Sequence, residues 1–172
     1  MKKLFLAFTA MTLLMTGCSS DDSDTNAQAT NIMIDGVAFN AAGAVAPFFN
    51  ASTTFQQNSQ MNSRSFSLIS ISGGIENSEQ LSLNFLYPLL QTSINGTYTI
   101  NSDDFDDENI SLGMYTKGSN YYGFDSGTIT VTDLGNSKFK LQFNNVVAID
   151  IQEVLPSKTL TGSYEGTFTL MQ

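Results

Sequence analysis

The sequence predicts an all-β protein, a single antiparallel β-sandwich or closed barrel that follows a short N-terminal segment. Apolar residues alternate with Ser, Thr, Asn or Lys along most of the chain, which is the period of a half-buried strand. Clusters of Gly, Asn, Asp and Ser interrupt these runs, and no apolar run has convincing helical spacing. Tryptophan and histidine are absent, whereas Phe (13) and Tyr (6) are plentiful, and aromatic residues favour strands.

The N-terminus has the three parts of an export signal for a lipoprotein. Lys2-Lys3 is a basic start, residues 4–14 are apolar but too short to span a bilayer, and Met15-Thr16-Gly17-Cys18 follows. This last stretch resembles a lipobox, with Met15 in place of the usual Leu. The resemblance implies that residues 1–17 are a signal peptide and that Cys18 carries the lipid that anchors the protein to a membrane. An ordinary signal peptide or a short membrane helix is the alternative.

Residues 18–29 are polar and acidic, beginning Ser19-Ser20-Asp21-Asp22 after the cysteine. No large apolar residue is present to start a core, so the segment is predicted to be a disordered tether. The Ser-Asp-Asp cluster also resembles the acidic signal that sends lipoproteins of Bacteroidota to the outer face of the outer membrane. That resemblance implies a location in the outer membrane, facing the cell exterior, and a merely solvated linker is the alternative.

Residues 30–172 are predicted to be one β-rich domain. It opens with a hairpin, because Asp35-Gly36 lies between two alternating runs and can take the positive φ angles of a type I′ turn. The segment from 41 to 60 is irregular, and its sequence is compatible with an edge strand, a short helix or a loop. Later alternating runs each predict a strand, with six side chains expected to point inward: Leu83, Phe85, Leu112, Val131, Leu141 and Phe168.

The opening Asp-Gly hairpin, the Gly-Thr-Ile-Thr-Val-Thr strand at 127–132 and the closing segment at 160–170 together resemble β-rich lipoprotein domains of Bacteroidota that have no assigned function. The resemblance lies in the general pattern of strands and turns over most of the chain. It implies a fold and a location but no site residue.

Composition excludes several classes of function. The net charge of −9 disfavours nucleic acid and anionic lipid as partners. Without histidine, and with Cys18 as the single cysteine, a Ser-His-Asp triad, a Cys-His pair and a histidine-bearing zinc site are excluded. A hydrolase using paired carboxylates could draw only on residues whose spacing does not force them together, namely Glu76, Glu79, Glu153 and Glu165. We therefore expect no enzymatic activity.

The densest charge is the acidic run from Asp103 to Glu108. So many carboxylates cannot all be buried, so the run is predicted to be a loop. Asp104, Asp106 and Glu108 alternate as oxygen ligands would, and such hard donors suit Ca²⁺. The glycine and the distant glutamate of an EF-hand are missing, and the composition favours a solvated acidic turn without a cofactor.

Three tyrosines, Tyr115, Tyr121 and Tyr122, lie close to a glycine-containing turn. Tyrosines at such turns can stack on sugar rings or contact a protein, although residues of this kind also serve as ordinary core. The sequence as a whole predicts a membrane-anchored, surface-exposed, non-catalytic module that binds an unidentified protein or glycan. The alternatives are a carboxylate-dependent glycan hydrolase and a calycin-like carrier, whose interior cavity would be lined by Phe and Leu.

Overall fold

Strands make up most of the described chain. A computed structural model of the protein describes residues 29–39, 48–71, 75–100 and 109–171. Within these ranges the helical structure is limited to one 3-10 turn, Ile75–Asn77, and the predicted all-β class is confirmed. The strands are β1 (Ala29–Thr30), β2 (Met33–Ile34), β3 (Val37–Ala38), β4 (Phe48–Gln57), β5 (Met61–Ile71), β6 (Glu79–Pro88), β7 (Gly96–Ile100), β8 (Ile110–Lys117), β9 (Asn120–Gly135), β10 (Lys138–Asp150), β11 (Lys158–Thr167) and β12 (Thr169–Leu170).

The strands form one mixed sheet that curls strongly into a half-barrel. Its hydrogen-bonded order is β12-β4-β5-β6-β8-β7-β9-β10-β11-β2-β3, and β1 pairs with β11 beside this path. Most neighbouring strands are antiparallel, while β7 with β8 and β12 with β4 are parallel. Because the path through the described strands has two unpaired ends, the sheet is open. The finer prediction of a sandwich or a closed barrel is therefore not confirmed.

The predicted Asp-Gly hairpin is present at the start of the domain. Asp35 (φ 50°) and Gly36 (φ 77°) link β2 to β3, and positive φ at both central residues is what a type I′ turn requires. The Asp35 carboxylate also accepts hydrogen bonds from the Lys158 ammonium (2.8 Å) and from the Thr159 backbone N–H (2.9 Å). The same aspartate thus shapes the turn and ties the hairpin to β11.

The irregular segment from 41 to 60 contains β4. This strand pairs with β5 along its whole length, from Phe48 opposite Ile71 to Gln57 opposite Asn62. On its other side it pairs with β12 in parallel. A strand is thus the outcome for residues 48–57, while residues 40–47 lie outside the described ranges.

The core lies on the concave face of the sheet. Five of the six residues predicted to point inward are buried there: Leu83, Phe85, Val131, Leu141 and Phe168. Aromatic rings fill the centre, where Phe66 makes edge-to-face contacts with Phe85, Phe139 and Phe168 at centroid distances of 5.6, 5.1 and 4.9 Å. Such ring pairs add about 0.5–1.5 kcal/mol each beyond the area they bury.

Leu112 is the one inward prediction that is wrong. β8 pairs with β6 so that Ser111 lies opposite Phe85 and Tyr115 opposite Leu81, and residues paired in this way share a face. Ser111 and Tyr115 are therefore buried inside, whereas Leu112 lies on the convex face and is only half-buried. The prediction was wrong because it assigned the apolar residue to the inward face, whereas β8 has serine at an inward position and leucine at an outward one.

Candidate functional site

An open pocket lies at the end of the half-barrel next to the β9–β10 turn. Its volume is about 450 Å³, within the range of pockets that hold small organic ligands. The strands contribute Phe55, Asn62, Arg64, Tyr87 and Asp133 to its walls. Gln57, the last residue of β4, also lines the pocket. The other described lining residues come from the connection after β6, namely Leu89, Gln91, Thr92, Ser93 and Ile94. We call this site the end pocket.

Arg64, the single arginine of the sequence, lines the end pocket from an inward-facing position on β5. Its guanidinium carbon lies 5.0 Å from the ring centroid of Phe139 and 5.7 Å from that of Phe55, distances at which a cation is attracted to a ring face. The Nε atom is buried and has no hydrogen-bond partner among the residues that the structure describes. None of the ion pairs among the described residues includes Arg64. The rings thus hold a cation whose hydrogen-bonding capacity is not used.

The amide side chains of the end pocket are tied to one another and to the backbone. The Asn62 nitrogen donates to the carbonyl oxygens of Pro88 (3.0 Å) and Gln91 (3.4 Å), and its oxygen accepts from Gln57 Nε2 (2.9 Å). The Gln91 nitrogen donates to the carbonyl of Ser93 (2.6 Å). These bonds join β4, β5 and the connection after β6, so the pocket walls are fixed by the fold.

Tyr87 supplies a second polar group to the end pocket. Its side chain is 6% exposed, and its hydroxyl has no hydrogen-bond partner in the described part of the chain. Burial raises the pKa of Tyr87, the Arg64 cation opposes that change, and the Asp133 carboxylate adds to it. The phenol is therefore protonated at neutral pH and can donate a hydrogen bond.

The three tyrosines singled out from the sequence do not lie together on a surface. Tyr115 and Tyr122 are 2% and 3% exposed and stack on each other inside the half-barrel, with ring centroids 5.7 Å apart. The Tyr115 hydroxyl donates to Glu79 Oε1 at 2.9 Å, and burial, with the nearby Glu79 carboxylate, raises the pKa of Tyr115. Tyr121 is 49% exposed. Of the three, it alone offers substantial surface to a partner, and its binding role stays a prediction.

Tyr121 lines a smaller pocket of about 170 Å³ beside the turn that follows β10. The carboxylate in that pocket, Asp150, accepts hydrogen bonds from the backbone N–H groups of Leu155 (2.8 Å), Val154 (3.0 Å) and Gln152 (3.3 Å). These bonds lower the pKa of Asp150. Its oxygens already serve the turn, so we assign this aspartate to structure.

Two predicted sites lie outside the described residues. They are the lipid anchor at Cys18 and the metal ligands Asp104, Asp106 and Glu108. Within the described ranges, no group of three or more His, Cys, Asp or Glu residues is placed to hold a metal ion. Both sites therefore stay predictions from the sequence.

The glutamates considered for hydrolysis are spread over the molecule. Glu79 pairs with Lys117 and Glu165 pairs with Lys138, each at 2.9 Å. Glu76 and Glu153 are exposed, in the 3-10 turn and in the turn after β10. None of the four lines the end pocket, where Asp133 is the one carboxylate among the described lining residues.

Sequence reasoning missed Arg64 and Tyr87 as members of a site. A signal was nevertheless present in the alternation of β5, where Asn62, Arg64, Phe66 and Leu68 share the inward phase. A single arginine at a position that alternation assigns to the core needs either a buried partner or a ligand. Tyr87 comes from β6, which pairs with β5, but Asp133 comes from β9, far along the chain, so only the folded chain could show that these residues share one pocket.

Comparisons with known proteins find no match for this chain among family models, curated proteins or solved structures. In the described part of the chain, no helix has the length and apolar character needed to cross a membrane.

Proposed function

We propose that this protein is a lipid-anchored, non-catalytic binding module of the outer cell surface, and that its ligand site is the end pocket. The observation that carries the proposal is a pocket of ligand size in which two donors, Arg64 and Tyr87, lack partners in the described chain. A buried donor without a partner costs about 1–3 kcal/mol of stability. Of the two donors, the Arg64 Nε atom is buried, so a ligand that accepts a hydrogen bond from it recovers that energy when it binds, whereas the Tyr87 hydroxyl supplies a further donor to the pocket.

The composition of the pocket also supports binding of a small molecule. The aromatic side chains Phe55 and Tyr87 and the apolar Leu89 and Ile94 supply contact area, while fixed amides and one cation supply direction. Small-molecule sites combine these two features. Among the described residues that line the end pocket, Asp133 is the one carboxylate, so these residues do not supply the pair of acids that glycan hydrolysis uses.

The test of the pocket is a ligand screen on the full-length protein in mild detergent, read as the melting temperature. Neutral sugars, amino acids and organic acids form the panel, because a ligand at 100 times its Kd stabilises the fold by about 2.7 kcal/mol. Thr92→Trp places an indole in the pocket wall and should abolish the effect of a hit. Thr132→Trp, on an exposed site of β9 outside the pocket, is the control. A hit that survives Thr92→Trp would refute this site.

The anchor has a separate test. Cys18→Ala removes the sulfur that would carry the lipid, so the variant should leave the membrane fraction and lose labelling by a fatty-acid probe. Cys18 is the single cysteine of the chain, so no other thioether can replace it. Equal labelling of wild type and Cys18→Ala would contradict the anchor. If the protein on intact cells resists protease added to the medium, the predicted outward orientation is contradicted.

A further inference from the structure

We propose that the ligand of the end pocket is a small organic molecule carrying one carboxylate, which pairs with the Arg64 guanidinium and accepts a hydrogen bond from Tyr87. The inference rests on the proposed function and narrows it to a chemical class. Three properties of the pocket favour a monocarboxylate over a neutral molecule or a polyanion.

The first property is which donors remain available. Both hydrogens of the Asn62 amide go to the carbonyls of Pro88 and Gln91, and the Gln91 amide is directed at Ser93 and Asn95. Among the described residues, the Arg64 Nε atom has no hydrogen-bond partner and no ion pair includes Arg64. The Tyr87 hydroxyl likewise makes no hydrogen bond to another described residue. A guanidinium presents parallel N–H groups that match the two oxygens of a carboxylate. The strongest unused donors therefore select for an anion.

The second property is the charge around the pocket. Among the described residues that line the pocket, Arg64 is the one cation and Asp133 the one carboxylate, and the whole chain carries a net charge of −9. The three lysines in ion pairs, Lys117, Lys138 and Lys158, are bound to carboxylates elsewhere. A single positive charge balances a single carboxylate. A phosphate monoester or a polyanion would bring excess negative charge next to Asp133, and like charges repel.

The third property is the aromatic surface beside the cation. Phe139 is buried and holds one side of the guanidinium, whereas Phe55 is 48% exposed and lines the pocket. A ligand whose carboxylate contacts Arg64 can place a ring or an apolar stem over the open part of Phe55. Contact of this kind adds apolar burial at about 25 cal/mol per Å². The ligand is thus a carboxylate attached to a ring, such as an aryl acid or a sugar acid.

The experiment is isothermal titration of the full-length protein in detergent with benzoate and glucuronate. Their neutral counterparts, benzyl alcohol and glucose, are titrated in parallel, and inorganic phosphate is the competing anion. Arg64→Met keeps an unbranched apolar stem at this position but removes the charge and the donors, and Arg64→Lys keeps the charge but loses the planar donor pair. Lys140→Met is the control, because it removes one cation from a strand position that does not line the end pocket. Thermal melts verify that each variant is folded.

We expect at least one carboxylate to bind at least about 10-fold more tightly than its neutral counterpart, since hydrogen bonds to charged groups are roughly twice as strong as neutral ones. Arg64→Met should weaken that carboxylate about 10- to 100-fold, Arg64→Lys by less, and Lys140→Met by less than twofold. Tyr87→Phe should weaken the carboxylate by less than Arg64→Met does and should reduce the selectivity for the acid over its neutral counterpart, because the carboxylate loses the hydrogen bond from Tyr87.

Three results would overturn the inference. If acidic and neutral probes bind equally and Arg64→Met does not change their affinities, the ligand need not be an anion, although the pocket remains a ligand site. Arg64-dependent binding of phosphate that exceeds both carboxylates would assign a different anion. In the third result, a neutral ligand binds and Thr92→Trp abolishes that binding, but neither carboxylate binds even at concentrations about 50-fold higher. That result would refute this inference and leave the proposed function standing.

Discussion

Replacement of Gly113 by alanine tests the packing of the half-barrel at a single atom. A Cβ added there would overlap ring atoms Cδ2 and Cε2 of Phe124 and lie 3.1 Å from its Cγ. Carbon atoms pack at about 3.5–4.0 Å, so the ring must retreat on the order of 1 Å. Phe124 is 8% exposed and lies among the buried core residues. Overpacking of this kind costs about 1–3 kcal/mol.

Gly123→Ala is the matched control on the neighbouring strand. Gly123 also has no left-handed φ, and a Cβ there would meet only Ile151 Cγ1, at 3.9 Å. Removing the freedom of a glycine in the unfolded chain stabilises by about 0.4–1 kcal/mol when no strain results. Urea unfolding should therefore separate the two variants by about 2 kcal/mol, or roughly 8 °C in Tm at about 4 °C per kcal/mol.

The double variant Gly113→Ala/Phe124→Leu distinguishes a local clash from a general intolerance of β8. If the ring is the obstacle, Gly113→Ala should cost less in the Phe124→Leu background than alone, with a coupling energy of at least about 0.5 kcal/mol. Strictly additive costs, or equal stability of Gly113→Ala and Gly123→Ala, would refute the assigned packing.

Three further expectations concern the core, the N-terminal hairpin and the acidic run. In urea unfolding, Phe66→Ala should lower the free energy of unfolding by about 3–5 kcal/mol. Phe55→Ala, at a half-exposed site, should lower it by under about 1 kcal/mol. Equal losses would contradict the placement of Phe66 in the core. The hydrogen bond from Lys158, and next that from the Thr159 N–H, lower the pKa of Asp35, and the same contact raises the pKa of Lys158. Asp35 stabilisation is thus full above its usual pKa of 3.8 and is lost as pH falls through the lower folded value. The free energy of unfolding of the wild type should exceed that of Asp35→Asn by under about 1 kcal/mol from pH 5 to 8. A difference of the same size at pH 2 would contradict this assignment. For the acidic run, a solvated turn predicts identical melting with millimolar Ca²⁺ and with chelator, whereas a rise that Asp104→Asn/Asp106→Asn abolishes would establish a metal site.

The period of two was enough to predict the strands and most of their buried faces. Leu83 and Phe85 on β6, and Leu141 on β10, alternate with polar residues, and each is buried. The Asp35-Gly36 turn could also be predicted from the sequence, because few residue pairs accept two positive φ angles in succession. Alternation failed at Leu112, where Gly113 and Ser111 occupy the inward phase and the ring of Phe124 fills the space above the glycine.

Alternation could not predict how the strands are ordered or how far the sheet closes. The chain passes from β11 into β12 through Phe168 alone, and β12 then pairs with β4 at the opposite end of the hydrogen-bonded order. That pairing depends on the curl of the whole sheet, which local sequence does not specify. An open half-barrel, a sandwich and a closed barrel share the same strand pattern.

By itself, the sequence determined the β class, the phase of most strands and the absence of histidine and cysteine chemistry in residues 30–172. These properties depend on residue type and on spacing over a few residues. Lipid attachment at Cys18 stays a prediction from the sequence. Only the tertiary structure decided that Arg64 shares a pocket with Tyr87 and Asp133, because the three side chains come from β5, β6 and β9 and meet where the sheet curls. It also decided that Tyr115 and Tyr122 pack inside while Tyr121 is exposed, since pairing between β8 and β9 sets which face each ring takes.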